Sequence, residues 1–240
     1  MKRKKSKVPE IIGLILVLSL AASVVFSLIR FIKAPAELAE GEPYTKVKSD
    51  YLLMLVQCLL GLVVSLLPSL ISHRWKIILP NTIYVLYFVF LYCAIYLGEV
   101  FEFYYRIPHW DTILHAFSGA MLGALGFVLI DILNSNQKVK VSLSPFFVSL
   151  FAFCFALAIG ALWEVYEFSF DSILGLNMQK AYTQEGVPLV GTAALADTMK
   201  DIIIDALAAL VVAVLGFFSA KKKTRQAVHD AEELISSSNS

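Results

Sequence analysis

Charge is what this 240-residue chain has least of: Asp, Glu, Lys and Arg make up 16% of it, against 58% hydrophobic residues. With a mean hydropathy of +0.74, that balance lies well below the roughly 25% charged residues of a soluble domain and excludes that class. Acids and bases nearly cancel, at net +1, and the basic residues cluster beside apolar runs, so nothing points to nucleic acid or another polyanion as a partner. Cysteine is scarce too. Cys58, Cys93 and Cys154 all fall inside apolar runs, where a thiol behaves as a small hydrophobe, so no disulfide framework or Cys-x-x-Cys metal motif follows. Missing as well are a Gly-x-Ser-x-Gly elbow, a His-Glu-x-x-His pair and a Glu-x-x-His pair. Their absence excludes the usual signatures of serine hydrolases, zinc proteases and ferritin-like di-iron sites.

What the chain has in quantity is long apolar runs. About 20 apolar residues at 1.5 Å each cross a hydrocarbon core about 30 Å thick, and six runs reach that length, at 8–32, 51–72, 77–98, 111–133, 145–170 and 197–220. The expected fold is all-α: a polytopic integral membrane protein with six transmembrane helices in one bundle. The expected organisation is a basic cytoplasmic N-terminus at 1–7, helices one to three at 8–98, a functional core with helices four to six at 99–220, and a cytoplasmic tail at 221–240. In the fourth run, Ser118-Gly-Ala-Met-Leu-Gly123-Ala-Leu-Gly126 spaces small residues for close helix packing. Lys221-Lys-Lys-Thr-Arg225 is expected to stop the sixth span. With the N-terminus in the cytoplasm, 13 of the 20 basic residues (2, 3, 4, 5, 7, 74, 76, 138, 140, 221, 222, 223 and 225) face inward. The positive-inside rule then puts both termini in the cytoplasm, in a bacterial cell (inner) membrane.

The polar residues inside these runs carry the functional reading. Asp197, Asp201 and Asp205 sit at i, i+4 and i+8, so on a helix they drift only about 80° over about 12 Å and form one acidic stripe. A carboxylate near the centre of a lipid-facing helix costs roughly 2.5–3.5 kcal/mol, so a partner inside the protein must receive it. Asp111 and His115 are also i, i+4, with Ser118 on the same face, while Glu164, Glu167 and Asp171 close the fifth run. The topology puts all of these at the outer membrane side. Seven acids and one imidazole need counter-charge, because like charges oppose one another's ionisation. Arg106 and Lys200 are candidates, and so is a divalent cation. Oxygen-rich ligation with one imidazole suits Mg²⁺, Mn²⁺, Zn²⁺ or Fe²⁺. Glu99 and Glu102 read as a solvated rim, and Asp197 is equally well an N-cap or loop residue.

The motifs Trp110-Asp111-Thr-x-Leu-His115-x-x-Ser-Gly119, Trp163-Glu164-x-x-Glu167 and Leu195-x-Asp197-Thr-Met-x-Asp201-x-x-x-Asp205 together resemble the YjdF-like family of bacterial inner-membrane proteins of unknown function. The resemblance implies a polytopic helical membrane protein and carries no established activity. Three functional readings stay open. The first is an extracytoplasmic-facing, metal-dependent enzyme acting on a lipid or lipid-linked head group, with membrane lipids as its surroundings. In it His115, Glu164, Asp201 and Asp205 hold metal, Asp111 or Glu167 acts as general base or orients the histidine, and the 171–196 loop, with Gly186, Pro188 and Gly191, is a lid or head-group contact. The second is a cation- or proton-coupled transporter using the same acids as a relay. The third is a scaffold whose buried polar cluster specifies packing.

Overall fold

The computed structural model describes residues 7–37, 45–75, 79–135, 143–183 and 187–238. Gly186 and the basic residues at 2–5, 76, 138 and 140 lie outside this set. Among the described residues the regular secondary structure is helical, with one isolated antiparallel bridge, Tyr182 with Pro188. The helices are α1 (Val8–Lys33), α2 (Lys48–Val64), α3 (Leu67–Trp75), α4 (Asn81–Leu91), α5 (Phe103–Arg106), α6 (Trp110–Ser135), α7 (Pro145–Leu174) and α8 (Thr192–Ser238), with a π-helical stretch, Tyr92–Val100, continuing α4. By length and composition six helices among the described residues can cross a membrane: Val8–Lys33, Lys48–Arg74, Asn81–Val100, Trp110–Asn134, Pro145–Leu174 and Leu195–Gln226. The all-helical, six-span expectation holds. Large side chains such as Leu18, Val25, Leu162 and Leu215 are exposed on these helices, as lipid-facing residues are.

The chain forms two compact units, Met1–Leu114 with Glu164–Lys200, and His115–Trp163 with Asp201–Ser240; α6, α7 and α8 each continue from one into the other. In the first unit Leu16 and Leu20 of α1, Met54 and Cys58 of α2, and Leu91 and Ile95 share one core. Pro9 opens α1, where a missing N–H costs nothing, and Arg30 and Lys33 complement the dipole at its end. The second span breaks between α2 and α3 at Ser65-Leu66. Pro68 has no N–H for the carbonyl of Val64, four residues back, and the Tyr87 hydroxyl donates to that carbonyl at 2.7 Å instead.

In the second unit α6 lays its small residues against both neighbours. A Cβ on Gly126 would stand 2.6 Å from Ala152 Cα of α7, and one on Gly123 would touch Val212 of α8 at 3.4 Å. Two boundaries differ from the sequence expectation. α7 runs past Phe170 to Leu174 and ends at Gly175, whose φ of +63° suits a glycine C-cap. The sixth span ends at Gln226, beside Lys221–Arg225 as expected, but α8 itself continues without a break to Ser238, 47 residues in all. Lysine and arginine are good helix formers; they end an apolar span without ending a helix. Because α8 starts at Thr192, Asp197 lies within it and is not its N-cap.

Candidate functional site

The acidic stripe of α8 is a burial stripe. Asp197 is partly buried, Asp201 and Asp205 are buried at 4% and 2% exposure, and the same face continues through buried Ala209 and Ala213. Asp205 fits because two glycines make room for it: a Cβ on Gly119 of α6 would stand 2.6 Å from its carbonyl oxygen, and one on Gly160 of α7 would stand 2.7 Å from its Oδ2. A carboxylate this deep is tolerable only with hydrogen-bonding partners. His115 Nδ1 lies 3.1 Å from Asp205 Oδ2, and the Ser118 hydroxyl lies 2.9 Å from Oδ1 and 2.9 Å from the His115 carbonyl.

An ionised carboxylate only accepts hydrogen bonds, so with Asp205 ionised the bond requires a proton on His115 Nδ1 and leaves Nε2 as the lone-pair nitrogen of the neutral ring. A ligand atom of Asp201 lies within 4.8 Å of one on His115. Asp111 lies one turn earlier on the helix of His115, α6, in the part that belongs to the first unit. The structure thus joins His115, Ser118, Asp201 and Asp205. Glu164 is buried at 5% exposure on α7, one turn beyond Gly160, and Glu167 follows it, partly buried. Asp171 acts on its own neighbourhood, where its two oxygens accept the backbone N–H groups of Met178 and Gln179 at 2.7 and 3.0 Å and fold the chain back after α7.

A second polar cluster, in the first unit, escaped the sequence reading. Glu99 is no solvated rim residue. It is buried at 8% exposure in the π-helical stretch and bonded to Lys180 Nζ at 3.2 Å. The Lys180 ammonium also lies over the rings of Tyr104 and Tyr105, 4.9 and 5.2 Å from their centroids. Glu102 pairs with Lys46 at 2.9 Å and Arg106 at 2.6 Å, which commits Arg106 locally. Burial alone would raise the Glu102 carboxyl, but hydrogen bonds from Lys46 and Arg106, with their charges, hold it below its ordinary value. Both Glu102 and Lys180 have left-handed backbones, with φ of +63° and +53°. Lys180 had one legible signal, a lone cation in a polar loop, and that does not identify a partner 81 residues away.

The family described as "Predicted membrane protein (DUF2238)" matches residues 12–222. An uncharacterised protein of Thermotoga maritima is 30% identical over 155 residues, which cover 64% of this chain and 66% of that protein, just under two thirds of its length. No solved structure matches the chain.

Proposed function

The chain belongs to that family of predicted membrane proteins, whose description gives no activity, and from this premise we propose that it binds a divalent cation through His115 and Asp201 and uses it on a lipid or lipid-linked head group. One observation carries the reading: the His115 imidazole is held through Nδ1 by the buried Asp205 carboxylate, with the Asp201 carboxylate within 4.8 Å of His115. A carboxylate that takes the far N–H of a histidine fixes its tautomer and raises its basicity as a ligand, the usual outer support of a metal-bound imidazole. Imidazole nitrogen and carboxylate oxygen fit Zn²⁺, Mn²⁺, Fe²⁺ or Mg²⁺.

In this reading Asp205, proposed from sequence as a ligand, has its oxygens engaged by His115 and Ser118 and serves to orient His115. Asp111 precedes His115 by one helical turn in the sequence of α6 and keeps its sequence-based role as candidate proton acceptor. Glu164 and Glu167, given from sequence as ligand and base, belong to the first unit and are not part of this reading. A bound cation would polarise a phosphoryl or carbonyl oxygen and supply an acidified water. The charge distribution supports a site facing away from the cytoplasm in a bacterial inner membrane.

The test is metal content by elemental analysis of detergent-purified protein, comparing wild type with His115→Gln and Asp201→Asn variants that elute as folded species. Near-stoichiometric metal in the wild type, lost in both variants, is the expected result. A wild type without metal after incubation with Mg²⁺, Mn²⁺ and Zn²⁺ refutes the reading and leaves the His115–Asp205 pair a packing device.

A further inference from the structure

The surroundings of Lys180 have the composition of an ammonium receptor. Two tyrosine faces and one carboxylate enclose its Nζ: Tyr104 at 4.9 Å, Tyr105 at 5.2 Å and Glu99 Oε2 at 3.2 Å. Aromatic faces present negative quadrupole charge to a cation, and a carboxylate completes the set used to recognise alkylammonium ligands. Burial alone would lower the pKa of the ammonium, yet the charge of Glu99, then Tyr105, and the bond to Glu99 raise it above the ordinary lysine range. The enclosure therefore selects the charged form.

Elements other than Lys180 hold this enclosure in place. Tyr104 is seated against Gly98, where a Cβ would stand 2.5 Å from its ring. Tyr105 Oη accepts from Asn177 Nδ2 at 3.2 Å. Glu99 sits in the π-helical stretch, whose Cys93 carbonyl accepts from Trp110 Nε1 at 3.3 Å; such wide turns recur at functional sites. Lys180 itself enters from the segment between α7 and α8 on a left-handed backbone, φ +53°, that side-chain-bearing residues seldom adopt. Beside Glu99, Tyr105 and Asn177 lies a cavity of about 20 Å³, also lined by Lys46, Asp50 and Glu102, enough for about one water.

We propose that Glu99, Tyr104 and Tyr105 form a binding site for an alkylammonium group, that of an aminophospholipid head group or of a free amine, and that Lys180 fills it as a built-in competitor. A ligand takes the site by displacing Lys180, which frees the 176–182 segment from Glu99. The inference is independent of the cation-binding reading: none of its residues is a proposed metal ligand, and its variants keep the metal content of the wild type.

The test uses the full chain in nanodiscs. Lys180→Ala should bind ethylammonium about tenfold more tightly than Lys180→Ala/Glu99→Gln, since one charge-assisted contact is worth roughly one decade in affinity. In the wild type, amide exchange over 176–182 should rise on displacement. A rise in phosphatidylethanolamine discs relative to phosphatidylglycerol discs identifies the lipid head group as the source, whereas a rise only on adding ethylammonium identifies a free amine. A folded Lys180→Ala that binds ethylammonium no better than the double variant overturns the proposal. Should Lys180→Ala not fold, wild-type exchange unchanged by both lipid and amine overturns it equally.

Discussion

Replacing Gly160 with alanine tests whether Asp205 is held as tightly as its contacts imply. The new Cβ would stand 2.7 Å from Asp205 Oδ2, 3.2 Å from Cγ and 3.3 Å from Cβ, while ordinary contact begins at 3.4 Å, a shortfall of 3.4 − 2.7 = 0.7 Å at the nearest atom. Two effects oppose each other. Alanine favours a helix over glycine by about 1 kcal/mol, whereas overpacking a tight interior costs about 1–3 kcal/mol. The carboxylate has little freedom to yield, because His115 and Ser118 engage its two oxygens and a hydrogen bond to a charged group is worth about 1.5–3 kcal/mol. The clash should win, with Gly160→Ala destabilised by up to about 2 kcal/mol net. Gly119→Ala should cost more, about 3 kcal/mol, because its Cβ would meet the Asp205 backbone, 2.6 Å from O and 2.9 Å from Cα, and only separation of the two helices relieves that. Reversible unfolding in mixed micelles measures both, and ¹⁵N shifts of the His115 ring report whether its bond to Asp205 survives. A Gly160→Ala protein as stable as wild type, with unchanged His115 resonances, would refute the reasoning.

Other consequences are open to measurement. Asp171→Ala removes the acceptor of two backbone N–H groups and should raise amide exchange at Met178 and Gln179 by roughly tenfold or more, as about 1.5–3 kcal/mol per charge-assisted bond implies; unchanged exchange there contradicts the assigned role. Glu99→Gln and Lys180→Met should each destabilise the protein, and combining them should cost less than the sum, because each single change leaves a largely buried partner behind; strict additivity in the double-mutant cycle would dissolve the pair. Glu102, held below its ordinary value, contributes stability above the usual carboxylate pKa of about 4.3 and loses it as pH falls through the lowered value. Thermal unfolding of wild type and Glu102→Gln should therefore converge on acidification and separate near neutrality. Lys180, held above its ordinary value, contributes below about pH 10.4 and loses that contribution as pH rises past its raised value, so the wild-type advantage over Lys180→Met should persist at pH 10.

The class of this protein was written in composition. Six apolar runs long enough for a bilayer mark six helices, since an isolated backbone in lipid must satisfy its own hydrogen bonds. The four-residue spacing of Asp197, Asp201 and Asp205 likewise announced a single buried face, because helical periodicity is a local property. Where the helices end was less legible. Hydropathy reports the lipid boundary, not the hydrogen-bonded one, so α8 outlasts its span while the second span is cut at Ser65-Leu66. The π-helical stretch at Tyr92–Val100 has no local signature at all.

Partnership was decided by tertiary structure. The sequence by itself determined that Asp205 needs an internal partner; packing on Gly119 and Gly160 decided that its oxygens meet His115 and Ser118. It likewise determined that Glu99 lies at a span end and Lys180 in a polar loop, whereas the fold decided that they pair, with the Lys180 ammonium over two tyrosine rings. The reason is range. Periodicity and hydropathy act over a few residues and are visible in the chain, whereas a pair separated by 81 or 90 positions exists only once the helices between them have packed.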